Sequence, residues 1–263
     1  MHEGIYIAAS GGLKQQKQLD VIANNLANVN SSAFKADRLV FQEMIPPFKE
    51  GTSFENARSI LMPPGESNEN VAYVGVAELF TDHSSGPLVQ TGNSLDLALE
   101  GEGYFKIETP DGMRYTRNGQ FRLNAGGQLV THEGNKVLGL NDRAIEIDPR
   151  LGNVSIDPTG TVSVGKGLEN VPVGKLQLID LPNKDALSKD GNGLVRISNP
   201  DVFEEVAKDV SVRQGFLENS NVNTMDEMSR MITTLRAYEA YQKVIQAIDS
   251  ADEQSITHIG RVA

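Results

Sequence analysis

Ser32-Ala33-Phe34-Lys35 sets a hydroxyl three residues before an amine, the spacing of the Ser-x-x-Lys nucleophile in penicillin-binding enzymes. That chemistry also needs Ser-Asp-Asn and Lys-Thr-Gly companions, and the chain carries neither. Gly101-Glu102-Gly103 supplies Gly-x-Gly alone; a phosphate cradle requires a third glycine opening a helix, so a β-turn is the simpler reading. Asp190-Gly191-Asn192-Gly193 resembles part of a calcium loop but lacks its terminal Glu. His2, His83, His132 and His258 form no His-x-x-x-His pair that would hold zinc. There is no Gly-x-Ser-x-Gly elbow, and carboxylates scattered along an acidic chain are usually solvated. The sequence therefore assigns no catalytic residue, no metal ligand and no cofactor, and no enzyme is expected.

Composition narrows the classes further. The 263 residues make one or two domains. A net charge of −11 lacks the basic patch that nucleic acid demands. No apolar run is long enough to span a bilayer, so no direct membrane insertion is expected. The first residues lack the basic and apolar regions of a cleaved signal peptide. The absence of cysteine removes disulfides, thiolate metal sites and thiol nucleophiles.

What remains is organisation: two amphipathic helical segments, one near each end, bracket a Gly-rich middle. In the first, Ile5, Ala8, Gly12, Leu19, Ile22, Leu26 and Val29 follow a three–four alternation with Gln15 in the polar slot. Such a helix is about 40 Å long at 1.5 Å per residue. Its buried side chains offset only part of the entropy of ordering it, so it is expected to order on meeting a partner. The same stripe also fits an ordinary core helix. Asn24, Asn25, Asn28 and Asn30 are costly inside a helix, because their amides compete for the backbone. They mark either a fraying C-terminus or amides that bond across a subunit interface and fix register.

The last segment opens with the capping-box pattern Thr224-x-x-Glu227. Met225, Met228, Ile232 and Leu235 lead to Tyr238, Tyr241, Ile245 and Ile248, with one extra three-residue step after Leu235. The spacing predicts a single seam with a stammer, which overwinds a coiled coil locally.

Between them, from about Val71 to Val212, short alternating runs predict strands at 95–99, 104–108, 114–116, 120–123, 128–130, 144–147, 154–156, 161–164 and 175–179. Asp111-Gly112, Asn118-Gly119, Gly126-Gly127 and Gly134-Asn135 punctuate them, as in an antiparallel sandwich or barrel-like domain. Residues Pro46 to Asn70, with four prolines, predict a long irregular connection. The expected fold is α+β: a central antiparallel β-rich domain bracketed by N- and C-terminal amphipathic, coiled-coil-like helices. The expected divisions are an N-terminal assembly segment at 1–33, an irregular connection at 34–70, a β-rich domain at 71–215 and a C-terminal assembly segment at 216–263.

Several long motifs resemble one family in that family's own order. Leu19-Asp20-Val21-Ile22-Ala23-Asn24-Asn25-Leu26-Ala27-Asn28-Val29-Asn30, followed by Phe34-Lys35, resembles the N-terminal motif of bacterial flagellar rod and hook proteins. Thr91 to Phe105 resembles the start of their β-rich domain, and Tyr115-Thr116-Arg117-Asn118-Gly119 continues it. Gln214-Gly215-Phe216-Leu217-Glu218-Asn219-Ser220-Asn221-Val222-Asn223 resembles the motif before their C-terminal helix. The lead-in Asp82-His83-Ser84-Ser85-Gly86-Pro87-Leu88 is similar to that of proximal-rod members, with distal-rod members next. Ala33 stands where the family usually has Gly, so the turn after the first helix is expected to differ.

The resemblance implies a structural subunit of the flagellar basal-body rod. It implies export through the flagellar type III apparatus without a cleaved signal, and stacking into a shaft that crosses the periplasm and carries torque to the hook. The implied partners are copies of the chain, other rod and hook subunits, and the export apparatus. The expected subunit-interface residues are Ile5, Leu19, Ile22, Asn24, Asn25, Leu26, Asn28, Val29, Met225, Met228, Ile232, Leu235, Tyr238, Tyr241, Ile245 and Ile248. A soluble binding module, or a secreted fibre unrelated to flagella, remains the alternative on the residues alone.

Overall fold

The computed structural model describes residues 2–44, 73–166, 169–199, 203–207 and 209–259. The stretch Pro46 to Asn70, expected to be irregular, lies outside them. The chain divides into two compact units, one of Met1–Leu26, Asp37–Thr81 and Thr224–Ala263, the other of Ala27–Ala36 and Asp82–Asn223.

The first unit holds α1 (His2–Ala27), β1 (Asp37–Met44), β2 (Tyr73–Thr81) and α2 (Thr224–Ile259). β1 corrects the expectation that 34–70 is irregular throughout. It pairs antiparallel with β2 from Asp37↔Thr81 to Met44↔Tyr73, with a bulge at Val40/Phe41. No tight turn follows β1 in sequence, so its partner was not visible locally. The Lys14 ammonium stands 4.4 Å over the Phe41 ring and covers part of the strand from α1. At α2, Asp226 and Glu227 in the first turn complement the positive end of the helix dipole.

The second unit is built entirely from antiparallel pairs. Its largest sheet runs Leu187–Lys189, Leu194–Ile197, Gly112–Thr116, Tyr104–Thr109, Lys136–Gly139, Leu129–Thr131 and Phe121–Leu123 in spatial order. A three-stranded sheet of Asn153–Ile156, Thr161–Lys166 and Glu169–Lys175 shares its core. Leu97, Leu99, Phe105, Ile107, Leu129 and Val162 fill that core, with Phe105 meeting Phe121 edge to face at 5.0 Å between centroids. Two expected strands differ. Residues 144–147 contribute only the end of the pair Arg143–Ala144 and one bridge at Glu146. Residues 175–179 split, Lys175 ending one strand and Leu178–Asp180 forming another. The strands Leu88–Gln90 and Phe216–Glu218, which pair with each other, were not among the expected ones; each lies beside a proline or glycine that reads as a turn.

At the edge of this core lies a buried ion cluster. The Glu218 side chain is 0% exposed and receives Lys35 Nζ at 2.6 Å and Arg117 Nε at 2.8 Å. Gly86 N donates to the same carboxylate at 2.8 Å. The spare donors are used as well: Lys35 Nζ donates to Ser84 O at 2.7 Å, and Arg117 donates to Gly103 O and Gly101 O, both at 2.6 Å. Lys35 is thus committed to Glu218 and Ser84, and the Ser-x-x-Lys spacing has a structural meaning. A Cβ on Gly86 would collide with the Asn219 carbonyl, which is why the lead-in needs glycine there.

Asn221 joins the segments that adjoin the first unit in sequence. Its Oδ1 accepts from Ala36 N at 2.8 Å and its Nδ2 donates to Asp82 O at 2.8 Å, while Asp82 N donates to Ala36 O at 2.8 Å. Ala33 N donates to Glu218 O at 2.8 Å. Ala33 corrects the expectation about its turn: it takes the left-handed conformation, φ +57°, although it carries a Cβ. The hydrogen bond to Glu218 and the buried position hold it there.

Two measurements check these points. Left-handed backbone costs a non-glycine residue about 1–2 kcal/mol, so Ala33→Gly should stabilise the second unit by about 0.5–1 kcal/mol, seen as a higher midpoint in urea. Burial pushes the Glu218 carboxyl up, but Arg117 and Lys35 outweigh burial and hold it below its ordinary value of 4.5. Its stabilisation is therefore complete above pH 4.5 and is lost as the pH falls through the lowered value. Glu218→Gln should cost about 3–5 kcal/mol at pH 7 by leaving two cations partly unpaired. It should also flatten the loss of thermal stability between neutral and acid pH; an unchanged acid slope would refute the role given to Glu218.

Candidate assembly interface

Within the first unit α1 and α2 run antiparallel. Gly4 lies against Ile248 and Gly11 against Tyr241, where an added Cβ would come within 2.5 Å of the ring. Gly11 is therefore a close-approach position, since any side chain there would force the helices apart. On α2 the residues turned inward are Thr224, Glu227, Met231, Thr234, Tyr238, Tyr241, Ile245 and Ile248, all buried or half-buried. Their steps alternate three and four without interruption. On α1 the matching positions are Ala8, Gly11, Gln15, Gln18, Ile22 and Asn25.

This corrects the expected single seam with a stammer. The heptad is unbroken; what changes after Leu235 is the face on which the apolar residues lie. Met225, Met228, Ile232 and Leu235 each follow a seam residue by one position, about 100° around the helix. They are exposed, from 76% for Met225 to 45% for Leu235. Beyond them the same outer positions are Glu239 and Gln242, and the apolar residues have moved onto the seam as Tyr238, Tyr241, Ile245 and Ile248. The first half of α2 thus keeps a mostly polar seam of Thr224, Glu227 and Thr234 with Met231 inside, and an apolar stripe outside.

The two halves of the seam pack differently. Where Gly11 meets Tyr241 there is no room for a methyl group. Where Gln18, Ile22 and Asn25 approach Glu227 and Arg230, a cavity of about 140 Å³ remains. Polar side chains of unequal length interdigitate poorly, and the space is lined by groups able to hold water.

Of the expected interface residues, Ile5, Leu19, Leu26, Asn28 and Val29 are half-buried, Ile22 is buried and Asn24 is exposed. Asn25 is 1% exposed and spends both ends of its amide inside the chain. Its Nδ2 donates to Asp37 O at 2.8 Å and its Oδ1 accepts from Asp37 N at 2.9 Å. The amide thus grips one backbone position of β1 as a neighbouring strand would. Sequence reasoning missed Gly11, Glu227, Met231 and Thr234 as seam residues: Gly11, Glu227 and Thr234 give no hydrophobic period, and Met231 falls outside the apolar stripe that Met225, Met228, Ile232 and Leu235 trace. The step from Ala8 to Gly11 was the available signal. Exposed Tyr6 and Leu13 add to the apolar surface of α1. No helix among the described residues is long and apolar enough to cross a membrane.

Comparison with known proteins gives consistent matches along the chain. Residues 5–35 match the family described as flagella basal body rod protein. Residues 98–164 match the flagellar hook protein FlgE/F/G D1 domain, and residues 213–257 the C-terminal region of flagellar basal body rod FlgEFG proteins. The chain is 33% identical to the flagellar basal-body rod protein FlgF of Caulobacter vibrioides over 100% of both chains. It is 35% identical to the flagellar basal-body rod protein FlgG of Bacillus subtilis over 95% of this chain and 96% of that one. It is 29% identical to FlgF of Mesorhizobium japonicum over 99% of each.

Replacing Asn25 by Ala removes both bonds to Asp37 and leaves a backbone N–H and C=O unpaired beside the cavity. Each costs about 1–3 kcal/mol. The expected result is faster amide exchange at Asp37 and its neighbours in β1 with the second unit unaffected. Unchanged exchange would show that the clamp is dispensable.

Proposed function

Because the chain belongs to the flagellar basal-body rod protein family, as full-length identity above 30% establishes, we propose that it is a proximal-rod subunit joined to its neighbours through its terminal helices. It is a structural subunit of the rod. The neighbours are copies of the chain and other rod and hook subunits. The role is non-catalytic: the shaft transmits torque from motor to hook.

One observation carries the assembly mechanism. The apolar stripe Met225–Met228–Ile232–Leu235 is exposed on a helix whose neighbouring seam is already occupied by α1. Burying such side chains is worth about 1.5–3 kcal/mol each. Methionine adapts to partners of different shape, which suits a subunit that meets more than one kind of neighbour. Contacts of this sort that do not close on themselves extend into a helical shaft. The polar, loosely packed half of the seam beneath the stripe allows α2 to adjust as it docks. Export through the type III apparatus without a cleaved signal fits a chain whose terminal helices become fully packed only in the shaft.

The proximal position is supported by the Asp82-x-Ser84-x-Gly86-Pro87-Leu88 lead-in and by the end-to-end match with FlgF of Caulobacter vibrioides. The distal rod is the second reading, favoured by the 35% identity to FlgG of Bacillus subtilis.

Leu235→Asp tests the mechanism. The site is solvated in the free subunit, so the change should alter folding stability by no more than about 0.5 kcal/mol. It should nevertheless abolish incorporation into basal bodies and swimming. Normal swimming would sink the proposal. Immunogold labelling of a tagged, functional copy in purified hook–basal bodies should mark the shaft at the motor end; label on the outer shaft would replace the proximal reading with the distal one.

A further inference from the structure

The second unit bears a groove of about 340 Å³ whose lining includes Asn30, Ser32, Phe34, Asn118, Gln120 and Asn192. These residues come from three distant stretches: the turn after α1, the loop before Phe121–Leu123, and the hairpin tip between Leu187–Lys189 and Leu194–Ile197. At that tip Gly191, Asn192 and Gly193 all have positive φ, +79°, +51° and +72°, which turns Asn192 into the groove wall.

Two properties single the groove out. In a chain of net charge −11 its lining carries neither carboxylate nor cation. Asn28 in the lining accepts from Ser31 Oγ at 3.1 Å, but most of the other polar side chains of the lining are unspent. Elsewhere the amides of Asn25, Gln214 and Asn221 bond within the chain. Here the side chains of Asn30, Ser32, Gln120 and Asn192 make no hydrogen bond among the described residues, and Asn118 uses only its Oδ1, on Gln120 N at 3.1 Å. A concave set of free neutral donors and acceptors matches a ligand that offers both in alternation, as a polypeptide backbone does. A sugar would offer the same alternation but wants a bare aromatic face to stack on, and the Phe34 ring is covered by the Lys189 ammonium at 4.6 Å.

We propose that this groove receives a polypeptide segment of a second copy of the chain, a contact made by the β-rich unit and separate from the helical stripe. The proposal rests on the reading of the chain as a rod subunit. Two copies of an acidic chain repel wherever carboxylates face each other, so a neutral, hydrogen-bonding recess is where they approach at least electrostatic cost. Unspent amides then confer register, because each bond is made at one alignment and lost at the next.

The test introduces the photo-crosslinking amino acid p-benzoylphenylalanine at Asn192 in one strain and at Leu235 in another, in the full-length chain in motile cells. Basal bodies are isolated after irradiation. The expected product from position 192 is an adduct of twice the 28.5 kDa subunit mass whose peptides all derive from this chain. Gln120→Glu in the same strain should reduce its yield roughly tenfold through like-charge repulsion, without changing the melting curve of the purified chain. Adducts from 235 but none from 192 would overturn the groove and leave the rod reading standing. So would a product from 192 that contains a different protein or a glycan. Absence of adducts from both positions would overturn the rod reading as well.

Discussion

A carboxylate removed from water stays charged only if cations and N–H groups replace the water, and the second unit is organised around one such group. Glu218 is enclosed by Lys35, Arg117 and the Gly86 amide, each supplied by a different stretch of chain. Arg117 in turn holds the Gly101 and Gly103 carbonyls, and Lys35 holds Ser84. Motifs far apart in sequence therefore serve one requirement. Any member lost leaves a buried charge or carbonyl without its partner, and that is more costly than the bond was worth.

Asn221 applies the same logic to neutral groups. It binds Ala36 and Asp82, so three of the four places where the chain enters or leaves this unit are fastened together within it. Backbone hydrogen bonds and a buried ion cluster provide stiffness where three or four residues of strand alone would not, since Leu88–Gln90 and Phe216–Glu218 are too short to hold register unaided.

Under the proposed assembly the first unit meets the opposite demand: its helices pair, yet leave apolar surface for a neighbour. α2 resolves this by shifting its apolar residues from the outer face to the inner one midway along its length. Tyr238 to Ile248 secure it to α1, close enough that Gly11 admits no side chain. Met225, Met228, Ile232 and Leu235 remain outside, beside a mostly polar seam that packs with space to spare. The protein keeps unburied apolar area at one end of one helix, where a neighbour can reach it.

Much of this was legible in the residues. Two amphipathic helices, a β-rich middle and its turns follow from periods of 3.6 and 2 and from Gly and Asn placement, because those depend on near neighbours alone. The motifs that mark the family are also local strings. What the sequence could not decide is which distant groups meet. The seven-residue period was present, but only the position of α1 separates its inner seam from the outer stripe, so one helix read as a stammered seam. Asn25 read as an amide for a neighbouring subunit, and only the path of β1 showed that Asp37 takes both its bonds. Lys35 had no role once the nucleophile motif was rejected for want of its companions, and only the fold showed that Glu218, 183 residues away, holds it. The sequence by itself determined the two helices, most of the strands and the turns between them, since their periods and turn residues are set by near neighbours. Tertiary structure alone decided which charges are buried together and which apolar face stays open, because those depend on contacts the chain makes only after it has folded back on itself.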